Sequence, residues 1–244
     1  MRKIAIANRK GGVGKSTTAV HLAHALAMAG SRVLLIDTDT QAHCSRILGV
    51  DPGRGLAELM DKSAAAAEAI TPARERLDLL AGGKALAGIN RLIARENIRP
   101  ELVLAKALEP AESGYQYIII DTAPGSAELS VNVLFYVHQV IVPVSMEVLA
   151  TDGLLDFEEE LARIMEYHQG LEILYVVPTF VDGRVRKTET ILEALRAKYA
   201  GKVGPSIRYS VALSEVPGWG KTIFEYAPRD RAAADYAQLA GRIA

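Results

Sequence analysis

The sequence predicts an α/β fold in which helices flank a doubly wound, mostly parallel β-sheet. Short apolar segments alternate with longer segments of helical periodicity along the 244 residues, which is the pattern of repeated βαβ units. Several short segments are apolar throughout, as parallel strands buried on both faces are. Half of the chain is hydrophobic but only 6 % is aromatic, so aliphatic side chains supply the core. We expect one domain that spans residues 1–244.

Six strands are predicted from the apolar segments and four helices from the segments between them. The strands cover residues 3–8, 32–37, 77–80, 117–121, 139–144 and 171–178. The helices cover residues 15–29, 151–168, 188–199 and 229–243. The first helix is followed by Gly30, a residue type favoured after a helix C-terminus. Residues 51–114 are less regular, and we expect accessory helices there around one strand.

Charge and hydropathy narrow the classes of function. The net charge is −1, which argues against a uniformly basic surface for nucleic acid but not against a local basic face. Residues 184–244 carry eleven Lys or Arg against six Asp or Glu. No apolar run approaches the roughly 18 residues of a membrane span, and the N-terminus has no signal-peptide pattern. We therefore expect a cytoplasmic protein.

Cysteine and histidine give little sign of metal chemistry. Cys44 is the only cysteine, so an internal disulfide and a cysteine cluster for zinc or iron–sulfur are excluded. His21 and His24 have i, i+3 spacing on the first predicted helix. A metal site there is conceivable, but packing or surface exposure is the simpler explanation.

A glycine-rich segment follows the first predicted strand and opens the first predicted helix. It reads Lys10, Gly11, Gly12, Val13, Gly14, Lys15, Ser16, Thr17. Glycines let backbone N–H groups turn toward phosphate oxygens, and the helix N-terminus adds the positive end of its dipole. Lys15 would reach the β- and γ-phosphates and Ser16 would ligate Mg²⁺, so the segment predicts a site for ATP and Mg²⁺. Arg9 stands where the strict pattern has glycine, so this is a variant P-loop.

This segment resembles the deviant Walker A motif of the ParA/MinD-type ATPases. Further motifs match in order over nearly the whole chain. The resemblance is greatest to the chromosome and plasmid partition ATPases, ParA and Soj, in the small form without an N-terminal DNA-binding extension. It implies ATP hydrolysis to ADP and phosphate, with Mg²⁺.

Acidic residues follow two of the predicted strands. Asp37 and Asp39 lie at a strand end, where ligands of open α/β sheets bind, so both should face the P-loop. The resemblance implies that Asp39 orients the attacking water and that Asp37 supports Mg²⁺, although Asp39 could instead cap a helix. Thr40 replaces the family's proline. Asp121 ends an apolar strand like that of a Walker B motif and would hold a Mg²⁺-bound water. The predicted metal set is Ser16, Asp37 and Asp121.

The resemblance assigns a separate role to Lys10. In the family the earlier lysine reaches across a dimer interface to the partner's phosphates, where it acts as an arginine finger does. The chain would then form a homodimer when ATP is bound, with two ATP molecules between the subunits. The alternative is that Lys10 contacts its own nucleotide or solvent. Lys10, Lys15 and Asp39 are the predicted catalytic residues.

The C-terminal half resembles the family in several short segments. Residues 143–147 and 150–153 would line the dimer interface, and residues 206–217 would form a loop near the adenine. Nucleotide contacts are expected at Thr179, Ile207 and Pro217, with backbone groups as the readers of the base. The resemblance also implies DNA binding without sequence preference, through Arg184, Arg186, Lys187, Arg208 and Lys221. Ordinary surface charge is the alternative for each of them.

These motifs favour a partition ATPase on nucleoid DNA that positions a chromosome, a plasmid or another cargo, with an activating ParB-like partner. Carboxysomes and chemoreceptor clusters are alternative cargoes. A membrane-surface ATPase like MinD would need an amphipathic C-terminal helix with bulky apolar and basic faces. The C-terminus here is rich in alanine, so we expect no membrane partner. A metabolic enzyme on the same scaffold is the third hypothesis.

Overall fold

A seven-stranded sheet forms the centre of the protein. The computed structural model describes residues 1–125, 127–146 and 151–244, without the side chains of residues 151–153, 186 and 187. The strands are β1 (Arg2–Ile6), β2 (Val33–Asp37), β3 (Ile70–Arg74), β4 (Leu77–Leu80), β5 (Tyr117–Asp121), β6 (Gln139–Ser145) and β7 (Glu172–Thr179). Their order is β3-β4-β2-β5-β1-β6-β7, and all pairs except β3–β4 are parallel. The predicted fold class is confirmed.

Twelve α-helices lie in the described part of the chain. They are α1 (Lys15–Met28), α2 (His43–Leu48), α3 (Leu56–Met60), α4 (Ala66–Ala69), α5 (Ile89–Ala94), α6 (Val103–Leu108), α7 (Glu128–Tyr136), α8 (Thr151–Met165), α9 (Arg186–Lys198), α10 (Val211–Trp219), α11 (Ile223–Tyr226) and α12 (Arg231–Ile243). All four helices predicted from the sequence are present, with ends that differ by up to three residues.

The sheet separates two apolar cores. Alternate residues of each strand point to opposite faces, so Ile4 and Ile6 of β1 enter one core and Ala5 enters the other. The first core lies under α1 and α12, and the second lies under α5, α6 and α7. Since one sheet joins elements from most of the chain, it supports the prediction of a single domain, which stays a prediction.

Residues 51–114 contain two strands, so the prediction of one strand there was wrong. β3 pairs antiparallel with β4 at the edge of the sheet and contains Pro72. Proline cannot donate to a ladder and is tolerated mainly in edge strands. Because the segment ITPAR is neither apolar throughout nor regularly alternating, its pairing depends on the neighbouring strand.

The loop expected at residues 206–217 is partly a helix. α10 begins after Ser210, whose hydroxyl accepts a hydrogen bond from the backbone N–H of Leu213 at 3.4 Å. It ends at Gly220, which has a left-handed backbone conformation with φ of 61°. An added Cβ at Gly49 would lie 2.7 Å from the Gly220 carbonyl oxygen. This close approach joins the ends of α2 and α10, and a Ser cap with a terminal Gly explains the helix.

The C-terminal helix packs on α1. Tyr236, Leu239 and Ile243 are fully or almost fully buried in the core that α1 shares. The apolar face that a surface-bound amphipathic helix would present to lipid is therefore covered within the chain. Among the described residues, no helix combines the length and the apolar character needed to cross a membrane.

The two histidines of α1 are packing residues. Nδ1 of His21 lies 2.7 Å from the Thr17 carbonyl oxygen, and its Nε2 accepts a hydrogen bond from the Ile223 N–H at 2.9 Å. These partners fix the neutral tautomer with the proton on Nδ1. Nδ1 of His24 lies 2.7 Å from the Thr222 hydroxyl. Burial lowers the pKa of His21 to about 4.

We expect His21 to make folding pH-dependent. Between pH 6.5 and about 4 the unfolded chain binds a proton at this position that the folded chain does not, so stability falls as the pH falls. A full shift of this size corresponds to about 3 kcal/mol. Urea unfolding at several pH values should show that the stability advantage of the wild type over His21→Leu shrinks on acidification.

The comparison isolates this one group, because Asp37 and the other titrating residues are present in both proteins. A stability difference that stays constant from pH 7 to pH 4 would contradict the assignment of His21 as a buried neutral base.

Candidate active site

The register of three parallel strands brings the predicted acidic residues together. Asp37 at the end of β2 is directly opposite Asp121 at the end of β5. Asp121 is in turn opposite Ile6, the last residue of β1, which leads into the glycine-rich loop. Both carboxylates and the loop therefore lie at one edge of the sheet, where the carboxyl ends of parallel strands form the ligand crevice.

The glycine-rich loop needs glycine at two positions. Gly12 and Gly14 have φ values of 72° and 85°, a region that other residues enter at a cost. The hydroxyl of Thr179, at the end of β7, donates a hydrogen bond to the Val13 carbonyl oxygen at 2.9 Å. An added Cβ at Gly14 would lie 3.7 Å from the Phe180 ring. The end of β7 thus fixes the shape of the loop, and the contact observed for Thr179 is with the loop backbone.

Lys15 is turned into the loop. It is only 7 % exposed, and its ammonium group donates a hydrogen bond to the Lys10 carbonyl oxygen at 2.8 Å. Burial lowers the pKa of Lys15, and the charges of Asp121 and Asp39 act in the opposite direction. The side chain is therefore a cation placed between the loop and the carboxylates.

Asn8 anchors the start of the loop, a role that the sequence analysis missed. Its Oδ1 accepts a hydrogen bond from the Lys10 N–H at 3.0 Å, and its Nδ2 donates to the Pro143 carbonyl oxygen at 2.8 Å. Pro143 belongs to β6, so Asn8 ties the segment that carries Lys10 to the neighbouring strand. The sequence signal that could have indicated this role is an amide side chain between the first strand and the glycine-rich loop.

Asp37 is held by backbone donors. It is fully buried, and its two carboxylate oxygens accept hydrogen bonds from the N–H groups of Asp39 at 2.8 Å and Cys44 at 3.1 Å. Burial raises the pKa of Asp37 to about 6, the charge of Asp39 adds to the increase, and the two backbone donors oppose it. Two N–H groups reduce the cost of this buried charge but do not remove it.

Asp121 is also fully buried and is less well satisfied. Its Oδ2 accepts a hydrogen bond from the Cys44 thiol at 3.4 Å, and its Oδ1 has no partner among the described residues. Burial raises the pKa of Asp121 and the nearby Asp37 raises it further, while the neighbouring Ser16 hydroxyl, the Cys44 thiol and the charge of Lys15 lower it. Burial also raises the pKa of Cys44 well above its usual value, so the thiol is protonated and donates.

Asp39 faces the same edge but does not cap a helix. Its Oδ1 accepts a hydrogen bond from the Gln41 N–H at 3.0 Å. The N-cap of α2 is Ala42, which has a left-handed backbone and makes no side-chain capping bond. The alternative of a capping role is therefore wrong. The second carboxylate oxygen of Asp39 is not oriented by a helix terminus.

A glycine after β4 packs against both acidic residues of this turn. An added Cβ at Gly82 would lie 2.4 Å from the Asp39 carbonyl oxygen and 2.9 Å from Oδ1 of Asp37. The next residue, Gly83, donates its N–H to the same Asp39 carbonyl at 3.1 Å. This contact comes from a part of the chain that the sequence analysis did not connect with the site.

The arrangement has the donors expected of a phosphate and divalent-cation site. A loop with turned backbone and a buried lysine offers positive charge, and two buried carboxyl groups with a serine hydroxyl offer oxygen ligands. Mg²⁺ prefers such oxygens and is bound through one or two carboxylates together with water and phosphate. The buried Oδ1 of Asp121 has no hydrogen-bond partner among the described residues. It is an acceptor suited to a bound water or cation.

Comparisons with known proteins agree with this geometry. A model of the AAA domain matches residues 1–173. The sporulation initiation inhibitor protein Soj of Bacillus subtilis is 34 % identical, with 99 % of this chain and 97 % of Soj covered. The chromosome partitioning protein ParA of Caulobacter vibrioides is also 34 % identical, with 100 % and 94 % covered. The chain belongs to the ParA/MinD family.

Several of the similar solved structures contain a bound nucleotide. Cobyrinic acid a,c-diamide synthase from Mycobacterium smegmatis, with a bound ATP analog and magnesium, superposes with a TM-score of 0.85 at 27 % identity. The match covers 100 % of this chain and 94 % of the synthase. The fold of this chain is therefore shared by the partition relatives and by a diamide synthase.

The remaining predicted contacts lie outside this cluster. Ile207 is buried in the core, its N–H donates to the Pro178 carbonyl and its own carbonyl accepts from Val181. Pro217 lies inside α10. A role for either at the adenine stays a prediction, although both backbone groups of Ile207 already have partners.

The predicted DNA residues have different surroundings. Arg184 is 87 % exposed and pairs with its neighbour Asp182 at 2.7 Å, and Lys221 is exposed. Arg208 makes a bidentate contact with the buried Asp235, which neutralises much of its charge. The side chains of Arg186 and Lys187 lie outside the described residues, as do residues 147 and 150 and the side chains of 151–153 of the predicted interface.

We expect Gly82→Ala to damage the acidic turn. Because the new methyl group would meet the Asp39 carbonyl oxygen at 2.4 Å, the backbone must shift, and overpacking of this kind costs about 1–3 kcal/mol. Urea unfolding should report that loss, and the affinity for a Mg²⁺-bound ATP analog should fall with it.

Gly53→Ala is the matched control, because an added Cβ there has no atom within 4 Å. Equal stability and equal analog affinity in the two variants would contradict the role of Gly82 as a packing surface for the site.

Proposed function

We propose that this chain is a partition or positioning ATPase. It binds ATP with Mg²⁺, forms a homodimer in that state, holds DNA without sequence preference, and releases it when a ParB-like partner stimulates hydrolysis. The observation that carries the proposal is the placement of buried Lys15 beside Asp39 and Asp121 at the mouth of a glycine loop. The Soj and ParA relatives match the chain over nearly its whole length, which supports the same function.

The residues divide into a phosphate-binding set and a metal-binding set. Backbone N–H groups of residues 11–17 would bind the phosphates, and Lys15 would exchange the Lys10 carbonyl for the β- and γ-oxygens. Ser16, Asp37 and Asp121 would hold the cation, directly or through its water shell. When bound, ATP supplies the phosphoanhydride bond and Mg²⁺ offsets the charge that develops as it breaks.

Asp39 is the group that would act on the attacking water. It is the acidic residue of the edge with a small exposed surface, 8 %, while Asp37 and Asp121 have none. The hydrogen bond from Gln41 fixes one oxygen, so the other can accept from a water aligned with the γ-phosphate. Orientation of this kind contributes through positioning and charge rather than through covalent chemistry.

Lys10 would complete the site of a second subunit. Its backbone is fixed by Asn8 and by the ammonium group of Lys15, and the next two residues of the loop, Gly11 and Gly12, are exposed. A cation delivered from a partner stabilises the transition state of phosphoryl transfer. ATP would favour the dimer because it binds the paired sites better than the single one.

The homodimer is tested by light scattering of the purified chain with ATP, ADP and no nucleotide. We expect a dimer with ATP in Asp39→Ala, which retains the nucleotide because hydrolysis is blocked. Lys10→Ala should bind ATP but stay monomeric, and Lys15→Ala should not bind ATP. A Lys10→Ala variant that dimerises and hydrolyses ATP like the wild type would contradict the assignment in trans.

DNA binding would use exposed basic residues of the C-terminal part of the chain. Arg184 lies in the segment between β7 and α9, and Lys221 follows the Gly220 end of α10. Phosphate contacts need only Lys or Arg on one face, and a dimer doubles their number. The pairing of Arg208 with Asp235 makes Arg208 the weaker member of this set.

We expect binding to duplex DNA only with ATP, with an affinity that falls steeply with salt. Arg184→Glu and Lys221→Glu should each weaken it at least about tenfold in fluorescence anisotropy and lower the salt dependence. Lys202→Glu is the control, because Lys202 pairs with Glu172 at the opposite, amino end of β7.

Loss of binding in all three variants to the same extent would point to net charge alone. ATP hydrolysis with no DNA binding at any salt concentration would overturn the partition proposal and favour the second candidate, an amide-forming enzyme like the structurally similar synthase. Product formation from a carboxylate and an ammonia donor would then be the measurement to make.

A further inference from the structure

The proposed function makes no use of Cys44, yet its thiol lies inside the acidic cluster. The backbone N–H of Cys44 donates to Oδ2 of Asp37, and its Sγ is 3.4 Å from Oδ2 of Asp121. One ligand atom from each of these three residues lies within 4.8 Å of the others, and all three side chains are buried. They form a compact set of one sulfur and two carboxylate donors.

The spacing of these donors fits a tetrahedral metal centre. Zinc binds thiolate sulfur at about 2.3 Å and carboxylate oxygen at about 2.0–2.2 Å. At a tetrahedral angle these bond lengths place sulfur and oxygen about 3.5 Å apart, close to the 3.4 Å between Cys44 and Asp121. Small movements of the Asp37 carboxylate would bring the third donor into range.

Two further observations indicate that a cation can be held here. The Oδ1 atom of Asp121 is buried and has no hydrogen-bond partner among the described residues. The cluster is also acidic and buried, and Lys15 is the cation near it. A divalent cation would add positive charge where buried acidic groups need it.

We propose that Asp37, Cys44 and Asp121 form a binding site for a thiophilic divalent cation such as Zn²⁺. The metal–sulfur bond forms as the thiol proton passes to solvent, with no change in oxidation state. Because the site shares both carboxylates with the oxygen ligands facing Ser16, Zn²⁺ and Mg²⁺ exclude each other. Magnesium does not take sulfur ligands, so Cys44 adds a ligand that only the softer ion would use.

The test uses Cd²⁺ alone as a spectroscopic probe of the full chain. Because Cys44 is the only cysteine, every Cd–thiolate charge-transfer band in the ultraviolet must come from it. We expect a band that saturates at one Cd²⁺ per chain, is absent in Cys44→Ser, and requires at least about tenfold more Cd²⁺ in Asp37→Asn, as loss of a metal-site partner does. Zn²⁺ should compete for the band at similar concentrations, and excess Mg²⁺ without ATP should not.

Several results would overturn the site. No band at saturating Cd²⁺ excludes the thiol as a ligand. A band unchanged in Asp37→Asn and in Asp121→Asn shows binding to the thiol alone, and half stoichiometry shows a cation shared between two chains. The wild-type titration and the aspartate variants decide the question even if Cys44→Ser fails to fold. Because these readouts need neither ATP nor DNA, failure of the site and failure of the proposed ATPase are distinguished.

Discussion

Two carboxylates buried side by side at the end of an apolar sheet are the constraint around which the site is built. The register of β2 and β5 places Asp37 directly opposite Asp121, and neither side chain has exposed surface. Both pKa values are raised for that reason. The chain offsets part of the cost with backbone donors, a thiol and Lys15, and it leaves one oxygen of Asp121 without a described partner. A divalent cation bound at this edge would meet that residual deficit.

The same constraint links the glycine loop to the rest of the sheet. Lys15 lies between the carboxylates and the Lys10 carbonyl. An anion that binds the ammonium group would therefore break its hydrogen bond to the Lys10 carbonyl oxygen. Asn8 and Thr179 hold the two sides of the loop against β6 and β7. The backbone of Lys10 is held by Asn8 and by the ammonium group of Lys15. Phosphate binding and the position of Lys10 are coupled by one shared hydrogen bond.

The parts of this structure that could be predicted from the sequence are those set by local pattern. Gly12, Gly14 and Lys15 lie within a short segment between a strand and a helix, and Asp37 and Asp121 each end an apolar strand. By contrast, β3 forms by pairing with β4 at the edge of the sheet. Its proline and arginine make the segment unlike a strand in the sequence. The roles of Asn8, Gly82 and Cys44 depend on contacts between residues far apart in the chain, such as the 77 positions that separate Cys44 from Asp121. No spacing rule in one sequence contains that information.

Helix α2 connects the acidic edge with the C-terminal region. Its start follows Ala42, a residue with a left-handed backbone at φ of 51°, and the N–H of Cys44 in its first turn holds Asp37. Its end abuts Gly220, and the guanidinium of Arg74 bonds the carbonyl oxygens of both Leu48 and Gly220. Both ends of this short helix are therefore tied, because breaking either contact would leave polar groups without partners. The hydrogen bonds at the ends of α2 thus connect the acidic edge with the Gly220 end of α10, next to Lys221.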